Sequence, residues 1–143
     1  MSIARRRLVV AAAGLLLPTM TRALDGVATP LQSEGPFFPD PLPLELDADL
    51  LRVGDGSAAL GTPVELAGSV RDPDGRPLAG ALIEIWQVDA QGTYLHPAEG
   101  PRLARRDAGF QGYGRSVTDA QGRYRFRTLR PVPYPGRAPH IHV

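Results

Sequence analysis

Cysteine is absent from this chain, and so is lysine. The first absence excludes disulfides, thiolate metal sites and cysteine nucleophiles. The second excludes Schiff-base chemistry and lysine general bases, since all 16 basic residues are arginine. Aromatic residues are scarce at 6%, with one Trp, and there are only three histidines. A metal could be held only by His, Tyr, Asp, Glu or backbone oxygen. Charge of one sign is lacking too: 16 basic residues against 15 acidic ones leave a formal net charge of +1. With no arginine block outside the N-terminus, nothing argues for nucleic acid as a partner. No apolar run approaches the roughly 20 residues that a helix needs to span a bilayer, so no stable membrane anchor is expected.

What remains is globular in kind. The chain has 143 residues, 43% hydrophobic and 22% charged, enough for one domain of ordinary size. Gly (16) and Pro (15) argue for many turns and against long helices. At the start, Arg5-Arg6-Arg7 precede the apolar run Leu8 to Leu17, which Pro18 ends. Thr21-Arg22-Ala23 offers small residues at cleavage-site spacing. Residues 1–24 read as a bacterial export signal, and a periplasmic or secreted protein is expected. The paired arginines resemble a twin-arginine signal, with Leu8 and Val9 where that motif prefers Phe and Leu. An ordinary Sec signal is the alternative.

Residues 25–62 form a Pro-rich arm. The run from Gly35 to Pro43 holds four prolines and cannot be a helix or a central strand. Phe37 and Phe38 are its expected anchors on the domain. From Pro63 the pattern is β, and residues 63–143 are expected to form the sandwich domain. Val64 to Val70 alternates, and Ala81 to Val88 is apolar on both faces, as in a central strand. Arg115 to Thr118 is short. In Tyr124 to Leu129, Tyr124, Phe126 and Thr128 face one way and Arg123, Arg125 and Arg127 the other. Those arginines are read as a solvated outer face rather than an anion site. Asp72–Gly75, Asp89–Gly92 and Asp119–Gly122 are the turns. The expected fold is all-β, an antiparallel β-sandwich with an irregular N-terminal arm. The pattern around Asp74-Gly75, repeated at Asp119 to Phe126, is similar to that of non-catalytic transthyretin-like and carboxypeptidase-regulatory modules. It supports the fold and says little about function.

The chemistry gathers near the end. His140 and His142 are two apart, so on a strand both point to one face and can reach one metal ion. Tyr134 stands between Pro133 and Pro135, which stiffen its backbone. Tyr94 follows the turn at Gly92. A solvent-facing His pair and two tyrosines of the core or rim are the bland alternatives. If both phenols reach the His pair, the site has two nitrogens and two anionic oxygens. A phenol of ordinary pKa about 10 ionises at neutral pH only beside a strong cation, and hard anionic oxygens favour ferric iron over zinc.

These residues carry a family resemblance. The arm Ser33-Glu34-Gly35-Pro36-Phe37-Phe38 resembles the Thr-Glu-Gly-Pro-Phe-Tyr arm of the intradiol ring-cleavage dioxygenases. Glu84 to Tyr94 is similar to the family segment that ends in its first tyrosine ligand. Pro133-Tyr134-Pro135, Arg137 and Pro139-His140-Ile141-His142 resemble the second tyrosine segment, the arginine and the histidine pair. The resemblance implies a ferric ion, Fe(3+), held by Tyr94, Tyr134, His140 and His142. It implies a catechol-type substrate opened between its hydroxyl-bearing carbons with dioxygen, Tyr134 taking a substrate proton and Arg137 stabilising charge on the ring. It also makes Gln111 and Tyr113 expected pocket residues. His96 is a weaker neighbour, more simply an exposed loop residue.

The family normally continues well past the histidine pair, whereas this chain ends at Val143. The resemblance therefore implies a domain incomplete at its C-terminus, and a chain that made alone folds poorly or binds iron weakly. Two other readings compete. One is an exported β-sandwich binding module without catalysis, which leaves the Tyr, Arg and His cluster unexplained. The other is a zinc or copper protein using His140, His142 and a carboxylate. The sequence leaves the oligomeric state open.

Overall fold

The computed structural model describes residues 28–43 and 45–143. The expected export signal lies outside them. Four strands, β1 (Pro63–Ser69), β2 (Leu82–Trp86), β3 (Tyr113–Val117) and β4 (Arg123–Leu129), form two antiparallel pairs, β1 with β4 and β2 with β3. The fold is all-β, as expected.

Alternation fixes the first pair. Val64 lies opposite Thr128, Leu66 opposite Phe126 and Gly68 opposite Tyr124, and these are the inward positions. The outward positions carry charge. Arg125 pairs with Glu65 at 3.4 Å, Arg123 with Asp119 at 2.9 Å, and Arg127 with Asp49. The three arginines thus form a solvated face neutralised by carboxylates. Exposed pairs of this kind contribute under about 1 kcal/mol each.

In the second pair, Glu84 faces Arg115, 2.9 Å apart, and Trp86 faces Tyr113. Here the expectation of a central strand needs correction. Among the described residues β2 pairs along its length only with β3; its other edge carries one bridge, between Trp86 and His142. Leu82 at 53% and Val117 at 63% remain exposed at the far end.

The arm contributes more than surface cover. Arg115 N–H donates to Asp47 C=O at 2.9 Å and Arg127 N–H to Ala48 C=O at 2.8 Å. Leu50 returns a bond to Arg127 C=O at 2.9 Å and accepts one from Gln111 at 2.9 Å. Residues 47–50 therefore lace one strand pair to the other. Leu50 enters the core completely, with Leu51, Ile85, Phe110, Phe126 and Leu129. Burying a side chain of this size stabilises by roughly 2 kcal/mol. Gln87 ties the pairs from inside: its amide donates to Leu129 C=O at 3.2 Å and accepts from Thr128 Oγ1 at 2.9 Å. The other unexpected element is a kinked 3-10 helix, Pro97–Arg105, broken at Gly100.

Candidate metal centre

Tyr94 is delivered by the turn Asp89–Gly92. The buried Asp89 carboxylate accepts from the N–H groups of Gln91 (2.9 Å), Thr93 (3.0 Å) and Asp107 (2.8 Å), which fixes the exit of the turn. Gly92 adopts φ +75°, and a Cβ there would stand 3.1 Å from Pro133 C=O, so the turn packs closely under the Tyr134 segment. The Tyr94 ring is buried. Phe37 stacks on it face to face, centroids 4.8 Å apart and 8° from parallel. Tyr134 meets it edge-on at 5.2 Å. Phe38 meets Trp86 at 5.0 Å and Tyr113 at 5.8 Å, so both arm phenylalanines seat in this second cluster of the core.

His142 is placed by β2. Its N–H donates to Trp86 C=O at 3.0 Å, and Trp86 N–H returns a bond at 3.3 Å. Its imidazole lies flat on the indole, centroids 4.7 Å apart and 5° from parallel. The Nδ1 of His140 stands 2.6 Å from Ala138 C=O, so it is the protonated nitrogen and Nε2 presents a lone pair. Tyr134 is half-buried, its ring 5.4 Å from that of His140, and a turn ties it to Arg137 through a 2.9 Å bond from Arg137 N–H to Tyr134 C=O.

Three donor atoms converge. Tyr94 Oη lies 3.4 Å from His140 Nε2 and 3.1 Å from His142 Nε2, and the two nitrogens are 3.2 Å apart. A single point about 2 Å from all three exists, which matches first-row metal bond lengths to oxygen and imidazole nitrogen. The donor chemistry agrees. With His140 Nδ1 protonated, its Nε2 turns a lone pair to the same point that the Tyr94 oxygen faces, as a cation requires. Among the described residues no cluster of three or more His, Cys, Asp or Glu surrounds the site, and the third donor atom beside the two imidazoles is the Tyr94 oxygen. This removes the support for a zinc or copper site completed by a carboxylate.

Burial dominates the electrostatics of the site. Burial, then the neighbouring Tyr134, pushes the Tyr94 phenol above its ordinary range, while the Arg137 guanidinium pulls the other way. Burial, then the His140 and Arg137 charges, lowers His142 below the usual imidazole value and favours its neutral, ligating form.

The remaining expected residues make none of the three donor contacts. Tyr113 is fully buried, and its hydroxyl is bound to Glu84 and lies 2.7 Å from Arg115 Nε. Burial, then the Glu84 bond, pushes that phenol up to about 12. Gln111 is buried beside it and donates to Tyr113 C=O at 2.8 Å. Both are buried in the packing, and Tyr113 shares the core cluster of Tyr94, Trp86 and Val88, against which Tyr134 packs. His96 caps the 3-10 helix, its Nδ1 accepting from Ala98 N–H at 3.0 Å. Two residues escaped sequence reasoning: Trp86 as the platform for His142, and Glu99, which bonds Tyr94. The signal for Glu99 was an acidic residue in the first turn after Pro97, a common helix start.

Comparison with known proteins gives a consistent result. A dioxygenase family model matches residues 33–141. The chain is 40% identical over 107 residues to the protocatechuate 3,4-dioxygenase beta chain of Burkholderia cepacia, covering 70% of this chain and 45% of that one. It is 35% identical over 108 residues to the catechol 1,2-dioxygenase of Acinetobacter baylyi, covering 75% and 32%. Among solved structures it is similar to the dioxygenase domain of a carbohydrate-binding fusion from a cellulolytic Streptomyces, with TM-score 0.59, 33% identity and coverage of 80% and 63%. The chain spans less than half the length of the curated relatives it matches.

Proposed function

Because this chain belongs to the intradiol dioxygenase family, we propose that its donor cluster holds a ferric ion and serves to cleave a catechol-type ring between its two hydroxyl-bearing carbons, with dioxygen as co-substrate. The observation that carries this reading is the triangle of Tyr94 Oη, His140 Nε2 and His142 Nε2, with sides of 3.1 to 3.4 Å. Tyr94, His140, His142 and Tyr134 would hold the ion. When bound, it would supply a Lewis acid for the two catechol oxygens.

The chain's own groups do the rest. The buried Tyr94 ring, pressed between Phe37 and Tyr134, is held in one orientation and shielded from water. Tyr134, half-buried at the rim, is the donor free to leave, and its Oη would accept a catechol proton. Arg137 is exposed beside it, and its charge is felt at both Tyr94 and His142. It would stabilise negative charge that grows on the ring in the transition state. The expected setting is the periplasm or the cell exterior, supported by the Arg5-Arg6-Arg7 and Leu8 to Leu17 pattern.

The test is spectroscopic. Titrated with ferric ion, the full chain should develop an intense tyrosinate-to-iron band in the visible. Tyr134→Phe should weaken and shift it, and catechol added without oxygen should shift it again. A chain that stays colourless, or a spectrum untouched by Tyr134→Phe, sinks the proposal.

A further inference from the structure

The 3-10 helix Pro97–Arg105 has no part in the chemistry above, yet it holds a buried charge. The Glu99 side chain is only 5% exposed. Its Oε1 accepts from the N–H of Tyr94 at 3.0 Å, and its Oε2 lies 3.3 Å from Arg102 Nη1. Arg102 Nη2 in turn donates to Gly92 C=O. One ion pair thus grips both ends of Gly92–Tyr94, the C=O at one end and the N–H at the other. Burying the Glu99 carboxylate beside a half-exposed arginine costs desolvation that an apolar residue of like size avoids, so stability alone is a poor reason for it. What it supplies is a fixed backbone, and the donor triangle needs one. Displacing Tyr94 by about 1 Å would break the match to metal bond lengths.

We propose that the Glu99–Arg102 pair is the positioning element of the metal centre, setting the Tyr94 backbone so that its hydroxyl meets His140 and His142. This rests on the ferric reading of the cluster. Glu99 bonds no donor atom; it holds Tyr94 through the backbone N–H, and its charge also pushes the Tyr94 phenol up.

Three variants of the full chain test it: Glu99→Ala, Glu99→Gln and Arg102→Lys. The measurements are ferric affinity by chelator competition, the position of the tyrosinate band, and amide exchange of Tyr94 in the metal-free protein by NMR. Loss of a residue that orients a ligand typically lowers metal affinity about 10- to 100-fold. Glu99→Ala should fall in that range, shift the band and release the Tyr94 amide to faster exchange. Glu99→Gln keeps an acceptor for that amide, so it should retain more protection than alanine while still shifting the band. Arg102→Lys keeps the charge and loses the fork to Gly92; it should lower affinity with the fold intact, which keeps the idea testable if Glu99→Ala does not fold. Wild-type affinity and band position in Glu99→Gln and Arg102→Lys overturn the proposal, as does unchanged Tyr94 exchange in Glu99→Ala. A wild-type chain that never colours with ferric ion defeats the ferric reading instead, and the exchange data then still decide whether Glu99 holds Tyr94.

Discussion

Leu50→Ala tests whether the arm is part of the domain. The side chain is wholly buried, packed in the cluster that includes Ile85 and Phe126 from opposite strand pairs. Truncating a leucine in such a place costs about 2–5 kcal/mol, out of a total of roughly 5–15 kcal/mol for a small domain. In urea that corresponds to a midpoint lowered by about 2 M. Gly114→Ala probes the same contact from β3. A Cβ there would lie 2.5 Å from Leu50 Cδ1 and 2.6 Å from Asp47 C=O. Overpacking of this kind costs about 1–3 kcal/mol. In the double mutant the first clash disappears and the second, against backbone, remains. The two changes should therefore couple by about 1 kcal/mol, yet leave the double mutant less stable than Leu50→Ala alone. A Leu50→Ala midpoint within about 0.3 M of wild type, with an unchanged slope, would refute docking of residues 47–50.

Other outcomes follow from single contacts. Thr128→Val strands the buried Gln87 Oε1 and should cost about 1–3 kcal/mol in thermal unfolding, while Gln87→Leu combined with Thr128→Val recovers most of it. Trp86→Leu removes the platform under His142 and should lower ferric affinity on the order of tenfold in chelator competition. The Asp119 carboxyl is held below the usual range, first by the Arg123 backbone N–H and then by its guanidinium. A depressed carboxyl stabilises the fold above its ordinary pKa of about 3.9 and loses that contribution as pH falls through the folded value. Wild type and Asp119→Asn should thus differ in melting temperature near neutral pH and converge in acid.

Regular alternation made the strands legible. Tyr124, Phe126 and Thr128 against three arginines could be read in only one way, and the Asp-x-x-Gly turns marked the strand ends. Leu50 was hidden because two leucines among Asp, Arg and Gly show no period; its burial comes from bonds to Arg127 and Gln111, far along the chain. The 3-10 helix was hidden by Pro97, Gly100 and Pro101, which read as loop. Apolar residues on both faces of β2 suggested two neighbouring strands, whereas Trp86 instead serves a histidine and the Phe38 ring. At the site, the His-x-His spacing pointed to one face, but only the fold shows Tyr94 arriving there. Glu99 and Arg102 act through backbone atoms, which leave no pattern in side-chain spacing.

The bond from Tyr94 to His142 spans 48 residues. A ferric ion shared by these two side chains would close a loop of that size, as a covalent cross-link does. For a disulfide, the chain-entropy model puts closure of such a loop at about 4 kcal/mol. In a chain without cysteine, the metal would be the staple that holds the turn before Tyr94 to the last residues. Loading would then add to folding stability, and a strong chelator would lower the melting temperature of the loaded protein towards that of the metal-free chain.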